Sequence, residues 1–205
     1  MKVYFVRHAE SVANEKDTFS SNNPEIHPLT PRGEAQATEL AAELRIIHFD
    51  TAYTSDLLRA VQTTEILLKE RDIQFHKIRR LREHNMGIYD GRSDEDAWNA
   101  LRKLVKVWDV DGRSDIGPED GESLDALQER FFSFIQELER DHSNQNATLL
   151  VVAHVGLFWS TLPRLFENID TEYVREREFG NAGVVIGTLD HGKWRCEEWV
   201  GERLP

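Results

Sequence analysis

The chain has 205 residues, of which 40% are hydrophobic and 30% charged, an ordinary balance for one domain with a sizeable core and against disorder. A formal net charge of −12 argues against nucleic acid and anionic lipid as partners, because both are bound through Lys and Arg; a few buried arginines can still dominate the field inside one pocket. Cys196 is the only cysteine, which excludes an intrachain disulfide. Met1–Arg7 lacks the apolar length of a signal peptide, and Ala147–Leu162 is interrupted by His154 and Ser160 and too short to span a bilayer. The cytoplasm is the expected location, with no membrane partner; oligomeric state is not legible.

Lys2–Val6 reads as a short buried strand ended by charge. The polar stretch Ser11–Pro28, with turn signals at Asn22-Asn23-Pro24 and His27-Pro28, predicts a loop. Thr30 offers an N-cap with Pro31 at the first helical position, and Ala35, Leu40, Ala41 and Leu44 form the apolar face of the helix that follows. Asp50–Thr54 is a second strand, Leu57–Lys69 a helix, and Gln74–Leu81 a third strand whose alternation is broken by charge. Glu95–Trp108 and Leu124–Glu139 are helical by period, and the Asp-, Gly- and Pro-rich Val110–Glu122 between them is a loop. Thr148–Ala153 is the clearest strand, Leu157–Phe166 a helix broken around Pro163. Val184–Leu189 and Lys193–Val200 form a hairpin about Asp190-His191-Gly192. Strands alternating with helices predict a three-layer α/β/α sandwich on a mainly parallel sheet with an antiparallel edge. A small helical cap is expected from about residue 85 to 122, within a single domain.

Ligands of open α/β sheets bind beyond the carboxyl ends of the strands. Behind the first proposed strand stand Arg7-His8-Ala9-Glu10, behind the second Ser55 and then Arg59, behind the third Glu83-His84, and behind the fourth His154-Val155-Gly156. Two histidines, two arginines and a carboxylate at one rim are what phosphoryl transfer needs: a nucleophile for phosphorus, fixed positive charge for its oxygens, and an acid for the leaving oxygen. Arginine suits this task without a metal, since its planar fork matches phosphate oxygens. The other histidines (His27, His48, His76, His84, His142, His191) lack zinc-ligand spacing and are expected at the surface or behind the site, with no metal and no cofactor.

Arg7-His8-Ala9-Glu10-Ser11-Val12-Ala13-Asn14 resembles the Arg-His-Gly-Glu-Thr-x-x-Asn signature of the histidine phosphatase (phosphoglycerate mutase-like) superfamily. The resemblance continues along most of the chain through Leu29-Thr30-Pro31-Arg32-Gly33, Thr54–Ala60 with Gln62-Thr63, Leu81-Arg82-Glu83 followed by Gly87 and Gly91, Gly121-Glu122-Ser123, and Val151-Val152-Ala153-His154. It implies that His8 becomes phosphorylated, Arg7 and Arg59 clamp the phosphoryl oxygens, His154 binds the same oxygens as an imidazolium, and Glu83 is the proton donor. Asn14 is expected to add a hydrogen bond to the phosphate. Ser20, Glu10 and Asn181 are further candidates around the substrate, Glu10 and Asn181 chiefly by orienting the site.

The chain departs from the family pattern at Ala9 for Gly, at His154-Val155-Gly156-Leu157-Phe158-Trp159 where His-Gly-Gly and a basic residue are common, and at Phe19-Ser20-Ser21, which lacks a Gly. Trp98, Trp108 and Trp159 are expected mostly in the core, with Trp98 or Trp108 as the alternative lining of an apolar substrate pocket. The expected activity is a metal-independent phosphomonoester phosphatase working on a small phosphorylated metabolite. The alternatives are a cofactor-dependent phosphoglycerate mutase, disfavoured by the short stretch between Gly91 and Gly121, and a non-catalytic phosphate-binding module.

Overall fold

The computed structural model describes residues 1–142 and 146–204. Seven strands form one sheet in the order β3-β2-β4-β1-β5-β6-β7. Its central strands are β1 (Lys2–Arg7) and β4 (Thr148–Ala153), parallel in the register Lys2↔Thr148 to Arg7↔Ala153. β2 (Thr51–Thr54) and β3 (Phe75–Lys77) extend the parallel half. The hairpin of β5 (Val184–Asp190) and β6 (Lys193–Trp199), with the short β7 (Glu202–Arg203), forms the antiparallel half.

Both faces of the central strands are buried, and the period of two sorts their side chains. Val3, Phe5, Leu149 and Val151 pack on α5 (Leu124–His142) and α6 (Val155–Leu165). Tyr4, Val6, Leu150 and Val152 pack against α2 (Pro31–Glu43) and α3 (Leu58–Leu68). The larger side of the core is aromatic, with Phe5 edge-on to Phe158 and Phe166 at ring separations of 5.7 and 6.2 Å. This is the expected three-layer α/β/α sandwich. No helix of the described residues is long and apolar enough to cross a membrane.

Several elements differ from expectation for local reasons. Part of the predicted loop Ser11–Pro28 folds as a helical turn, α1 (Val12–Glu15), because Asn14 Oδ1 accepts from Ser11 N at 3.0 Å and closes the turn. α2 starts as expected, with Thr30 Oγ1 accepting from Gly33 N at 3.0 Å, but Ala35 is exposed. The buried stripe is Gly33, Ala37, Leu40 and Leu44, and Gly33 is required because a Cβ there would lie 1.9 Å from Glu10 O. The third strand is only three residues long: after Ile78 N donates to Thr54 O, the chain turns at Arg79–Leu81, burying Leu81 and turning Arg80 to Glu137 and Ser133 of α5. α6 runs through Pro163 to Leu165. A proline so near a helix end removes only the bond to the carbonyl four residues back. A short helix α7 (Thr171–Arg175) follows, capped by Asp170, whose side chain accepts from Tyr173 N at 2.8 Å.

Residues 85–122 supply a single turn at Gly87–Tyr89, then α4 (Glu95–Asp109), then an irregular stretch to α5.

Candidate active site

Parallel pairing of β1 with β4 delivers His8 and His154 side by side. His8 N donates to Ala153 O at 2.9 Å, and the two imidazole rings lie 5.0 Å apart. Ser55, just past β2, joins them through its N–H to Val152 O, and its Oγ is 2.8 Å from His154 Nε2. Both imidazoles are buried, at 2% and 0% exposure.

The protonation of His8 follows from its partners. Nδ1 lies 2.7 Å from Ala9 O, and a carbonyl only accepts, so Nδ1 carries the proton. Nε2 therefore holds a lone pair, which accepts Arg59 Nε–H at 3.1 Å. Burial first, then the Arg59 and Arg7 charges, push the His8 pKa well below the ordinary imidazole value. His154 is likewise pushed well down by burial and then by Arg59. Burial and the neighbouring guanidinium both oppose a second proton, so the ring expected as an imidazolium favours the neutral imidazole in the free protein.

Arg59 reaches the site from the first turn of α3, where the hydroxyl of Thr63 binds its carbonyl at 2.7 Å and receives Ala9 N at 3.1 Å. It is 3% exposed, and burial lowers its pKa to about 10, so it stays charged at neutral pH. Its Nη2 donates to Ser20 O at 2.6 Å and its Nη1 to Ser20 Oγ at 3.4 Å, so Ser20 holds the guanidinium. Asp90 secures that loop by accepting from Ser21 N and Oγ, both at 2.7 Å. Arg7 Nη1 donates to Phe179 O at 2.5 Å, and burial lowers its pKa too.

Among the described residues neither Arg7 nor Arg59 has a carboxylate in ion-pair contact, and the buried atoms Arg7 Nε and His154 Nδ1 have no hydrogen-bond partner. Holding the buried Arg59 and the half-buried Arg7 side by side with no carboxylate in contact, only the more distant charges of Glu83 and Asp90, is costly. The site is built for an anion.

Glu83 faces the two histidines from the other side. Its Oε1 accepts from His84 N and Leu157 N at 2.8 and 2.9 Å, and Oε2 from Gly156 N at 3.0 Å, placing the carboxylate on the N-terminus of α6. A Cβ at residue 156 would come within 2.5 Å of Glu83 Oε1, so the glycine of His154-Val155-Gly156 makes room for the carboxylate. Behind it, Arg130 of α5 donates to Glu83 O at 3.2 Å and forms a two-pronged pair with Glu122, at 2.6 and 3.0 Å.

Asn14 lines the cavity. Its Oδ1 is taken by Ser11 N, Ser11 Oγ and Asn181 Nδ2, which leaves its NH2 for a ligand. Asn181 also donates to His8 O at 3.2 Å and so orients the histidine from behind. Glu10, by contrast, turns away: it accepts from Thr30 Oγ1 at 2.8 Å, pairs with Arg32 at 3.3 Å, and does not line the cavity. Glu10 lies past the end of β1, where the chain has left the strand, and Thr30 at the cap of α2 claims its carboxylate. The candidates from Arg7 to His154 thus converge, save Glu10.

A cavity of about 390 Å³ opens over these groups. Trp98 and Trp108 of α4 and Trp159 of α6 line it, and none is fully buried: Trp98 and Trp108 are half-buried, Trp108 packing against the edge of the core, and Trp159 is 43% exposed. His84 is buried against it, its Nε2 donating to Glu122 O at 2.7 Å. The roles of Ser55, Asp90 and Arg130 had no sequence signal beyond Ser55 lying inside the Arg59 motif, because each acts by touching a backbone or ring brought near only by the fold.

The model of the Histidine phosphatase superfamily (branch 1) matches residues 3–201. The chain belongs to the histidine phosphatase superfamily. The adenosylcobalamin/alpha-ribazole phosphatase of Salmonella typhimurium LT2 is 32% identical over 165 residues, covering 80% of this chain and 79% of that one. The crystal structure of the alpha-ribazole phosphatase from Shigella flexneri superposes with a TM-score of 0.80 at 26% identity, over 99% of this chain and 97% of its own. A 2,3-bisphosphoglycerate-dependent phosphoglycerate mutase of Nitrobacter winogradskyi is 33% identical over 196 residues, 90% of each chain. Chain length therefore does not separate mutase from phosphatase here, contrary to the expectation from Gly91 to Gly121. The phosphatase assignment fits better, and the chain is an enzyme of the histidine phosphatase type.

Proposed function

We propose that this phosphatase releases inorganic phosphate from a small phosphorylated metabolite through a phosphohistidine on His8 Nε2, with no metal or cofactor, as a single cytoplasmic domain with residues 85–122 as its cap. The observation that carries the reading is the buried Arg59 and half-buried Arg7, without ion-pair partners among the described residues, around an imidazole lone pair. A phosphoryl group entering the site takes over the Arg59 Nε–H, freeing the lone pair of Nε2 for phosphorus. Its oxygens accept from Arg59, Arg7 Nε, the Asn14 NH2 and His154 Nδ1–H. The last needs the tautomer in which Ser55 Oγ–H donates to His154 Nε2, which is compatible with Ser55 Oγ accepting Leu57 N–H at 3.3 Å.

The N–P bond forms as the ester P–O bond breaks, and Glu83 gives the departing alkoxide its proton, so the alcohol leaves neutral. Glu83, now a carboxylate, takes a proton from water as the water oxygen attacks phosphorus, and the N–P bond breaks to give phosphate and His8. Splitting hydrolysis in this way lets one set of fixed donors serve two similar transition states. Rapid mixing with a generic phosphomonoester in EDTA tests the reading: phosphate must never appear ahead of the alcohol, and release of both must vanish in His8→Ala.

The mutase relative supports a second reading, return of the phosphoryl group to another oxygen of a phosphoglycerate. Strong isomerisation of 3-phosphoglycerate primed by a bisphosphate, with little phosphate release, would establish it.

A further inference from the structure

The geometry of the cavity wall assigns a substrate class. We infer that the alcohol released is one that carries a planar aromatic group, held against Trp98, Trp108 and Trp159; this rests on the phosphatase reading and specifies the occupant of the same site. Trp98, Leu101, Val105 and Trp108 recur at helical spacing along α4, and all four line the cavity, while Ala97 and Leu104 on the adjoining face are buried and anchor the helix. Trp159 stands one turn after Val155 on α6, the helix whose first N–H groups hold Glu83.

The indoles are held so that little but carbon is left to a ligand. Trp98 Nε1 donates to Asp17 O at 3.2 Å, and its ring lies 4.5 Å from that of Phe19. Trp108 Nε1 donates to Ile116 O at 2.8 Å, and its ring meets that of His84 edge to face at 5.4 Å. Rigid aromatic faces favour offset or edge contact with another ring over contact with a flexible chain. Trp159, by contrast, has 43% of its surface exposed at this cavity, apolar area that a ligand would cover.

Charge points the same way. Among the described residues, the only lysine or arginine residues lining the cavity are Arg7 and Arg59, both of which act on the His8 ring, and Asp17 and Glu83 also line it. A second anionic group, such as the carboxylate of a phosphoglycerate, would meet no cation there. A neutral ring meets three indoles. The volume of about 390 Å³ is that of a small-molecule site rather than of a phosphate alone.

The test compares esters whose breaking bond is chemically the same. Wild-type enzyme is given 2-(1-naphthyl)ethyl phosphate and butyl phosphate, both esters of primary alcohols, and 3-phosphoglycerate. The expected kcat/KM for the naphthyl ester exceeds that for butyl phosphate by about 30-fold, chiefly through KM, and 3-phosphoglycerate is the poorest of the three. Trp159→Ala and Trp98→Ala should each narrow the naphthyl-to-butyl ratio by about 10-fold. Because a variant can misfold, neutral 2-(1-naphthyl)ethanol is also tested on wild type, where it should inhibit butyl phosphate hydrolysis competitively. Equal kcat/KM for the two alkyl esters, a preference for 3-phosphoglycerate, or no inhibition by the alcohol would overturn the aromatic assignment while leaving the phosphatase intact. Turnover of no ester by the wild type would instead overturn the phosphatase reading beneath it.

Discussion

The two ends of the cavity are built on different principles. At the phosphoryl end the groups are held by polar contacts, several of them more than once: His8 by Ala9 O and by Asn181 at its carbonyl, Arg59 by Ser20 and Thr63, Glu83 by three backbone N–H groups. At the other end the wall is largely apolar, partly exposed, and carried chiefly by one face of α4 and by Val155 and Trp159 of α6. The first end needs fixed dipoles aimed at developing charge, which work only if they cannot relax. The second needs contact area. On the proposed reading, one end performs the chemistry whatever the alcohol and the other chooses the alcohol.

The contrast can be broken most sharply at the nucleophile. His8→Ala should lower kcat by about 10^5-fold for every ester alike, measured by phosphate release, since a loss at the phosphoryl end does not depend on the leaving alcohol. Glu83→Gln should cost about 10^3-fold with an alkyl ester and far less with p-nitrophenyl phosphate, whose leaving group needs no proton. An equal loss on both would show that Glu83 serves position alone. Arg59→Lys should cost about 10^2-fold in kcat, because one point charge cannot replace the fork that reaches His8 Nε2 and Ser20 together.

A smaller effect separates the buried histidines from the rest of the chain. The pKa values of His8 and His154 are depressed in the folded state, so below about pH 6.5 the unfolded chain binds protons that the native one refuses. Their neutral burial costs nothing above that pH. As pH falls from about 6.5 toward the folded values, stability should drop by up to about 1.4 kcal/mol per pH unit for each imidazole. Urea unfolding at pH 7 and 5.5 checks this, and His154→Asn should reduce the slope. Smallest of all, Thr30→Ala should cost about 1 kcal/mol of stability through the lost cap on Gly33 N, with kcat nearly unchanged.

The same division explains what was legible in the sequence. The central strands announced themselves because both faces of Lys2–Arg7 and Thr148–Ala153 are buried, and the side chains that follow them must then emerge at one rim. Arg7, His8, Arg59, Glu83 and His154 are each tied to such a strand end or to the turn after it, so motif order sufficed. The tryptophans were only half legible: Trp98 and Trp108 could be read as core or as pocket lining, Trp159 read as core, and only the placement of α4 and α6 over the site decides. The short third strand escaped for a related reason, since the pull of Glu137 and Ser133 on Arg80 is tertiary. Glu10 was misplaced because Thr30, the residue that claims it, lies twenty positions away.

The central claim is a covalent bond between phosphorus and His8 Nε2, and trapping it is the most direct measurement. Enzyme quenched in base during turnover of a 32P-labelled phosphomonoester should carry acid-labile, base-stable label on the peptide containing His8, lost in His8→Ala and increased when phosphoenzyme hydrolysis is slowed by Glu83→Gln. Steady phosphate release with no label on that peptide, or label that persists in His8→Ala, would contradict the account.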